Sequence, residues 1–232
     1  MSYWGQKLLF DPASPIQEEM ILFHDHAMVL LLGIFSFVAF LGLKLILNKF
    51  SSRNMLEAQT LETIWTIIPA LLLVWLAFPS LRLLYLLDEQ SKTDMIMKST
   101  GHQWYWSYEI PSLESFDSYM ISNIDSNLGD YSLLEVDNRV VLPYNTNTTV
   151  ITTSADVLHA FTIPSVGMKM DSVPGRLNSM NMFLNWPGVY YGQCSEICGA
   201  NHSFMPIVVE AISAQDFFFE SACTKDCKSF ID

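Results

Sequence analysis

"TIWTIIPALLLVWLAFPSL", residues 63–81, runs for nineteen residues without a charged side chain. A helix needs roughly 20 apolar residues to cross the hydrocarbon layer of a bilayer, and it satisfies its own backbone polar groups where no water can. The stretch therefore predicts a transmembrane helix, continued to about residue 87. Pro69 and Pro79 interrupt its hydrogen-bond ladder, and a neighbouring helix can compensate, so this span is expected to face protein on one side.

Working outward, an earlier run, Ala27 to Leu43, holds seventeen uncharged residues. It reaches Leu47 if the stem of Lys44 lies in lipid and its ammonium rises to the headgroups. A first span over about 22–47 follows. A cleaved signal sequence is the rival, but such a segment begins with positive charge. Here the lead carries Asp11, Glu18, Glu19 and Asp25. The connection between the spans opens with Lys44, Lys49 and Arg53, so it belongs on the cytoplasmic or matrix side and both termini belong outside. The chain then divides into residues 1–90, a lead plus helical hairpin, and residues 91–232, an external domain.

That external part carries most of the acidity. From residue 88 onward there are 18 acidic and 7 basic side chains, a net charge of −11. Such a field repels nucleic acid and anionic lipid and attracts a basic protein, with generic solubility as the plainer reading. Short β-branched and aromatic runs recur through it, among them "HQWYWSYEI", "NRVVLP", "TTVITTSA", "LHAFTIP", "GVYYGQ" and "FMPIVVEAI". Pro, Gly, Asn and Ser clusters separate them, which predicts a sandwich or barrel of antiparallel strands. Residues 112–132 are polar and aperiodic, hence a long surface loop. "SAQDFFFES", from Ser213, offers a helix cap followed by an apolar face.

Between two of these strand runs stands "GQCSEICGANHSFM", residues 192–205. Gly192, Gly199 and Pro206 disfavour a helix there, so Cys194, Cys198, His202 and Met205 are expected on a loop. Three readings compete. Cys194 and Cys198 could form a disulfide in an oxidising compartment. Two Cys and two His could hold zinc. Copper is favoured by the soft thioether of Met205 and by a distant imidazole, His159, near the start of an apparent strand. Two thiolates can bridge two copper ions, each then taking one imidazole. Met205 and a backbone carbonyl, that of Glu196, would complete the set. A site closed in this way passes electrons, because binding a substrate needs an open position.

The segments "ETIWTIIPA", "GHQWYWSYE", "LEVDNRVVLP", "VLHAFTIPS", "PGRLN" and "QCSEICGANHSFMPIV" occur in an order that resembles the cytochrome c oxidase subunit II family over about nine tenths of the chain. The resemblance implies two transmembrane helices followed by a cupredoxin-like β-barrel with a dinuclear copper centre, copper A. Its ligands would be His159, Cys194, Cys198, His202 and Met205 through side chains and Glu196 through its carbonyl. The Glu196 carboxylate would reach a magnesium ion shared with the catalytic subunit, as suits a hard oxygen donor. Trp104 would receive the electron from cytochrome c, ringed by candidate docking carboxylates Glu109, Glu114, Asp117, Asp137 and Asp156. Glu62 would stand at the mouth of a proton path. The family places the chain in the mitochondrial inner membrane, with both termini and the copper domain in the intermembrane space. It also places haem, oxygen reduction and proton pumping in the partner subunits. A quinol-oxidising relative would lack the cysteine pair, so Cys194 and Cys198 argue against it. A membrane-tethered recognition domain, held by a disulfide or zinc, is the other rival. Phe161 departs from the tryptophan common in the family. His24, His26 and His102 have no companion ligands in sequence. Cys223 and Cys227 lie beyond the matched region and receive no metal.

Overall fold

The computed structural model describes residues 7–54, 56–89, 92–111, 113–122 and 128–219. Cys223 and Cys227 lie outside them. Two helices come first: α1, Pro15–Leu47, and α2, Gln59–Asp88. Both are long and apolar enough to cross a membrane. Helix α1 starts several residues before the span expected from hydropathy, because it has a proper cap. The Ser14 hydroxyl accepts the Gln17 N–H at 3.0 Å, Pro15 occupies the first helical position, and Glu18 lies in the first turn, where the helix dipole favours a negative charge. In α2, Pro69 and Pro79 remove two N–H donors from the ladder. Thr63 and Thr66 donate their hydroxyls to the carbonyls of Gln59 and Glu62 at 2.9 and 2.8 Å.

Residues 19–88 form one compact unit, the hairpin. The other unit joins the lead to the β domain. Ala13 donates its N–H to Ser165 at 2.8 Å and accepts from Asn185 at 2.9 Å, while the Ser14 hydroxyl donates to Val166 at 2.6 Å. The lead, expected in one segment with the hairpin, packs on the β domain by these hydrogen bonds.

Among the described residues the β domain contains ten strands. These are β1 Met95–His102, β2 Tyr105–Glu109, β3 Phe116–Ser118, β4 Val140–Pro143, β5 Thr148–Ser154, β6 His159–Ile163, β7 Met168–Ser172, β8 Asn178–Met182, β9 Gly188–Gln193 and β10 Pro206–Ile212. They form a five-stranded sheet in the order β3-β2-β1-β5-β8, a three-stranded sheet β4-β10-β9, and the β6-β7 pair. Burial alternates along β5 as a sheet with one face on the core requires. All three sheets contribute to one core, with Met97, Trp106, Val150, Leu142, Phe161 and Ile207 fully buried.

The topology differs from an all-antiparallel expectation at two places. β1 pairs β5 in parallel, Met95 opposite Thr148, and β10 pairs β4 in parallel, Val209 opposite Val140. Parallel neighbours need long connections, and both pairs are separated by tens of residues, so no hairpin signal in the sequence could mark them. Beyond β10 a helical segment over 214–219 is capped as expected. Ser213 accepts the Asp216 N–H at 3.1 Å, and Phe217 is buried.

Candidate metal centre

β9 and β10 are antiparallel neighbours with Gln193 opposite Pro206. The loop over 194–205 therefore leaves and returns at one point of the sheet, and both its ends are fixed by strand pairing. Ser195 donates its N–H to Ala160 at 3.2 Å, drawing the loop beside β6, whose first residue is His159. A short 3-10 turn, His202–Phe204, then points His202 back at the cysteines. Trp106 in the core donates its indole N–H to the Met205 carbonyl at 3.4 Å and so fixes the end of the loop.

The result is a compact donor cluster. The Cys194 and Cys198 sulfurs stand 4.0 Å apart. His159 Nδ1 lies 3.8 Å from the Cys194 sulfur, and His202 Nδ1 lies 3.4 Å from the Cys198 sulfur. The Met205 sulfur is 3.5 Å from Cys198, and the Glu196 carbonyl is 3.4 Å from Cys194. Ligand atoms of His159, Cys194 and Cys198 all fall within 4.8 Å of one another. A disulfide needs about 2.05 Å between sulfurs, so these are two free, buried thiols.

His159 has no freedom to turn. Its Nε2–H donates to Asp156 Oδ1 at 2.9 Å, which leaves Nδ1 to face the sulfurs. A Cβ on Gly101 of β1 would come within 2.8 Å of the His159 ring, so only glycine lets the imidazole lie there. Trp106 and Phe161 pack edge to face beside it, ring centroids 5.6 Å apart. Phe161 is fully buried, so the position that departs from the family pattern keeps its packing role.

The electrostatics follow from this packing. Burial pushes the Asp156 carboxyl up, but donors from His159, Val157 and Gln103 outweigh it and hold it below its ordinary value. Burial alone would lower His159; hydrogen bonds to Cys194 and Asp156 and their charges raise it instead. Burial likewise raises Cys194, yet the imidazole and backbone contacts at Ala160 and Glu196 bring it down to about 7. Cys198 is pushed up to about 12, by burial first and then by the neighbouring Cys194 charge. Two unit charges 4 Å apart repel by roughly 4 kcal/mol at an effective dielectric constant of 20. Both thiols can therefore ionise together only against a cation. Two thiols, two imidazoles, a thioether and a carbonyl are the donors that hold copper or zinc, and the thioether favours copper.

The remaining expected residues are more dispersed. Trp104 sits in the turn between β1 and β2, half-buried against the core, and its indole N–H has no hydrogen-bond partner among the described residues. Glu109 pairs with Lys98 at 2.8 Å, which offsets its charge. Glu114, Asp117 and Asp137 are exposed, and Asp137 accepts the Tyr119 N–H at 2.8 Å. Asp156, expected at a docking face, has its carboxylate committed to His159. The Glu196 side chain is half-buried, and Glu62 lies in the first turn of α2. Sequence reasoning missed the Asp156 partnership, although a carboxylate three residues before His159 was a usable signal. It also missed Gln103, whose side-chain amide donates to the Cys198 carbonyl at 2.8 Å across the fold.

Comparison with known proteins agrees with this architecture. The family described as the periplasmic domain of cytochrome c oxidase subunit II matches residues 95–212, and the corresponding transmembrane domain family matches residues 2–83. Cytochrome c oxidase subunit 2 of Albinaria caerulea is 67% identical over 219 residues, covering 94% of this chain and 98% of that protein. Its counterpart in Drosophila yakuba is 51% identical, over 94% of this chain and 96% of that protein. Among solved structures, the periplasmic domain of subunit II of Bradyrhizobium japonicum cytochrome oxidase aligns with a TM-score of 0.54 at 41% identity, covering 59% of this chain and 96% of that one. With two apolar helices ahead of a β domain that gathers two thiols beside two imidazoles, the chain belongs to the cytochrome c oxidase subunit II family.

Proposed function

We propose that this chain is the electron-accepting subunit of cytochrome c oxidase. It takes electrons from cytochrome c at a dinuclear copper A centre and passes them to haem in the catalytic subunit, supporting oxygen reduction and proton pumping there. The observation that carries this reading is the pair of unbonded thiol sulfurs 4.0 Å apart, each with an imidazole Nδ1 beside it. The ligands are the side chains of His159, Cys194, Cys198, His202 and Met205 and the carbonyl of Glu196. A copper pair held there supplies one-electron redox chemistry, which none of these side chains offers alone.

Everything else is the work of the chain itself. Burial of His159, both cysteines and Met205 keeps water and other reactants from the donors. Asp156 fixes the His159 tautomer by holding its Nε2–H, and Trp106 holds the backbone of Met205. Trp104 is the point of electron arrival. The acidic surface, with Glu109, Glu114, Asp117 and Asp137 as docking candidates, draws a basic partner and raises its rate of encounter in a salt-dependent way. The Glu196 carboxylate offers hard oxygen to a magnesium ion shared with the catalytic subunit. Glu62, at the start of α2, serves the mouth of a proton path. Similarity to the subunit 2 proteins supports residence in the mitochondrial inner membrane, and the basic loop between the spans favours the matrix side, which leaves both termini and the copper domain in the intermembrane space.

Metal analysis and electron spin resonance of the purified oxidase test the centre. Two copper ions bound by this subunit, with a resonance from one unpaired electron shared between them, is the expected result. One copper or fewer at these residues, or an isolated protein whose two thiols are joined, sinks the proposal.

A further inference from the structure

We propose that Gln103 is a positioning residue for electron transfer, clamping the Cys198–Gly199 segment of the loop against the Trp104 indole. The inference rests on the reading of Cys198 as a copper ligand. Gln103 makes two bonds to two different arms of the site. Its side-chain Nε2 donates to the Cys198 carbonyl at 2.8 Å, joining residues ninety-five positions apart. Its backbone N–H donates to Asp156 Oδ2 at 2.7 Å, and the other oxygen of the same carboxylate takes the Nε2–H of His159. One residue thus ties the β1–β2 turn to the arm that carries His159 and to the loop that carries both cysteines.

The neighbour of Gln103 in sequence is Trp104, and the neighbour of Cys198 is Gly199. These two also meet. Gly199 has φ of +126°, a conformation that favours glycine, and a Cβ there would stand 3.1 Å from Trp104 Cζ2 and 3.2 Å from Gln103 Nε2. The missing side chain lets the indole rest directly on the loop backbone. Two contacts, one van der Waals and one hydrogen bond, therefore join a half-buried surface ring to the residue bearing a buried sulfur. An electron given up by a reduced haem protein docked at Trp104 can pass through this contact to the backbone of Cys198. The oxidised copper pair is its acceptor, and the side chains themselves are unchanged by its passage. Without the amide clamp the Cys198–Gly199 peptide is free to lift from the ring. Misplacement by about 1 Å is enough to cost orders of magnitude in rate where geometry sets the coupling.

The test uses the assembled oxidase with Gln103→Met, which keeps length but cannot donate, and Gln103→Glu, which sets an anion against the carbonyl. Three quantities are read: copper content and its spin resonance, the dissociation constant for cytochrome c, and the single-turnover rate of copper reduction in the preformed complex. Both variants should retain two coppers with altered hyperfine splitting. The dissociation constant should move by less than about twofold and the transfer rate should fall roughly tenfold. A weaker complex with an unchanged transfer rate would make Gln103 a docking contact and overturn the proposal. So would wild-type resonance and rate, or loss of copper from both variants, which would make the clamp a requirement for metal binding alone. If the unmodified oxidase lacks the two-copper resonance, the reading of the site falls and this inference with it; if only the variants behave as wild type, this inference falls alone.

Discussion

The hairpin and the β domain use the same apolar side chains in opposite directions. Phe35 and Leu73 in the hairpin are 71% and 65% exposed, whereas Phe161 and Leu142 in the β domain are at 0%. One region is built to present hydrocarbon to its solvent and the other to hide it. A substitution therefore has no fixed meaning in this chain; its cost depends on which solvent the side chain was selected to meet. The metal cluster belongs entirely to the second regime, where buried polar groups must find partners, and that is why His159, Cys198 and Met205 are each held by a second residue.

The sharpest way to break this contrast is at the sulfurs. Cys198→Ser should abolish the shared-electron resonance and the electron transfer that depends on it, while the hairpin still inserts; spin resonance and membrane fractionation read the two separately. Next, Phe161→Ala should cost about 3 to 5 kcal/mol of β-domain stability in chemical denaturation, through lost burial and the cavity left beside Trp106. The matching change Phe35→Ala in the hairpin should leave the same denaturation curve in place. Conversely, Leu73→Arg, harmless on a soluble surface, should disfavour membrane insertion by about 2.5 to 3.5 kcal/mol in an insertion assay. Asp156→Asn is smaller again. It should weaken copper binding roughly 10- to 100-fold by loosening the His159 tautomer, measured by competition with a chelator. Ser14→Ala should cost about 1 kcal/mol, since one hydroxyl caps α1 and also bonds to Val166.

What could be read from the chain followed the range of the interactions. Charge-free runs mark the two helices because a span is a local property of consecutive residues. The donor loop was legible because its ligands crowd into fourteen residues, and its soft sulfur chemistry needs no fold to be recognised. The start of α1 was readable in principle from Ser14, Pro15 and Gln17, but hydropathy drew attention to the apolar stretch instead. The parallel pairings of β1 with β5 and β4 with β10 were not readable, since nothing local distinguishes a strand that will pair in parallel. Asp156 shows a subtler limit. As a residue type it belongs on an acidic surface; its place three residues before His159 hints at a partnership, and the 2.9 Å distance shows that one oxygen is turned to the imidazole. Gln103 had no signal of its role beyond its place in "GHQWYWSYE", because its partner is almost a hundred residues away and any polar surface residue would look alike.

The pairing of Gln193 with Pro206 at the two feet of the donor loop has a mechanical consequence. A span of chain whose ends are bolted to adjacent strands can flex only like a hoop, and this hoop is further stitched at Ser195, Cys198 and Met205 to three different parts of the fold. A frame held in this way limits how far its two sulfurs can shift, so little work would be spent rearranging it each time a charge comes or goes.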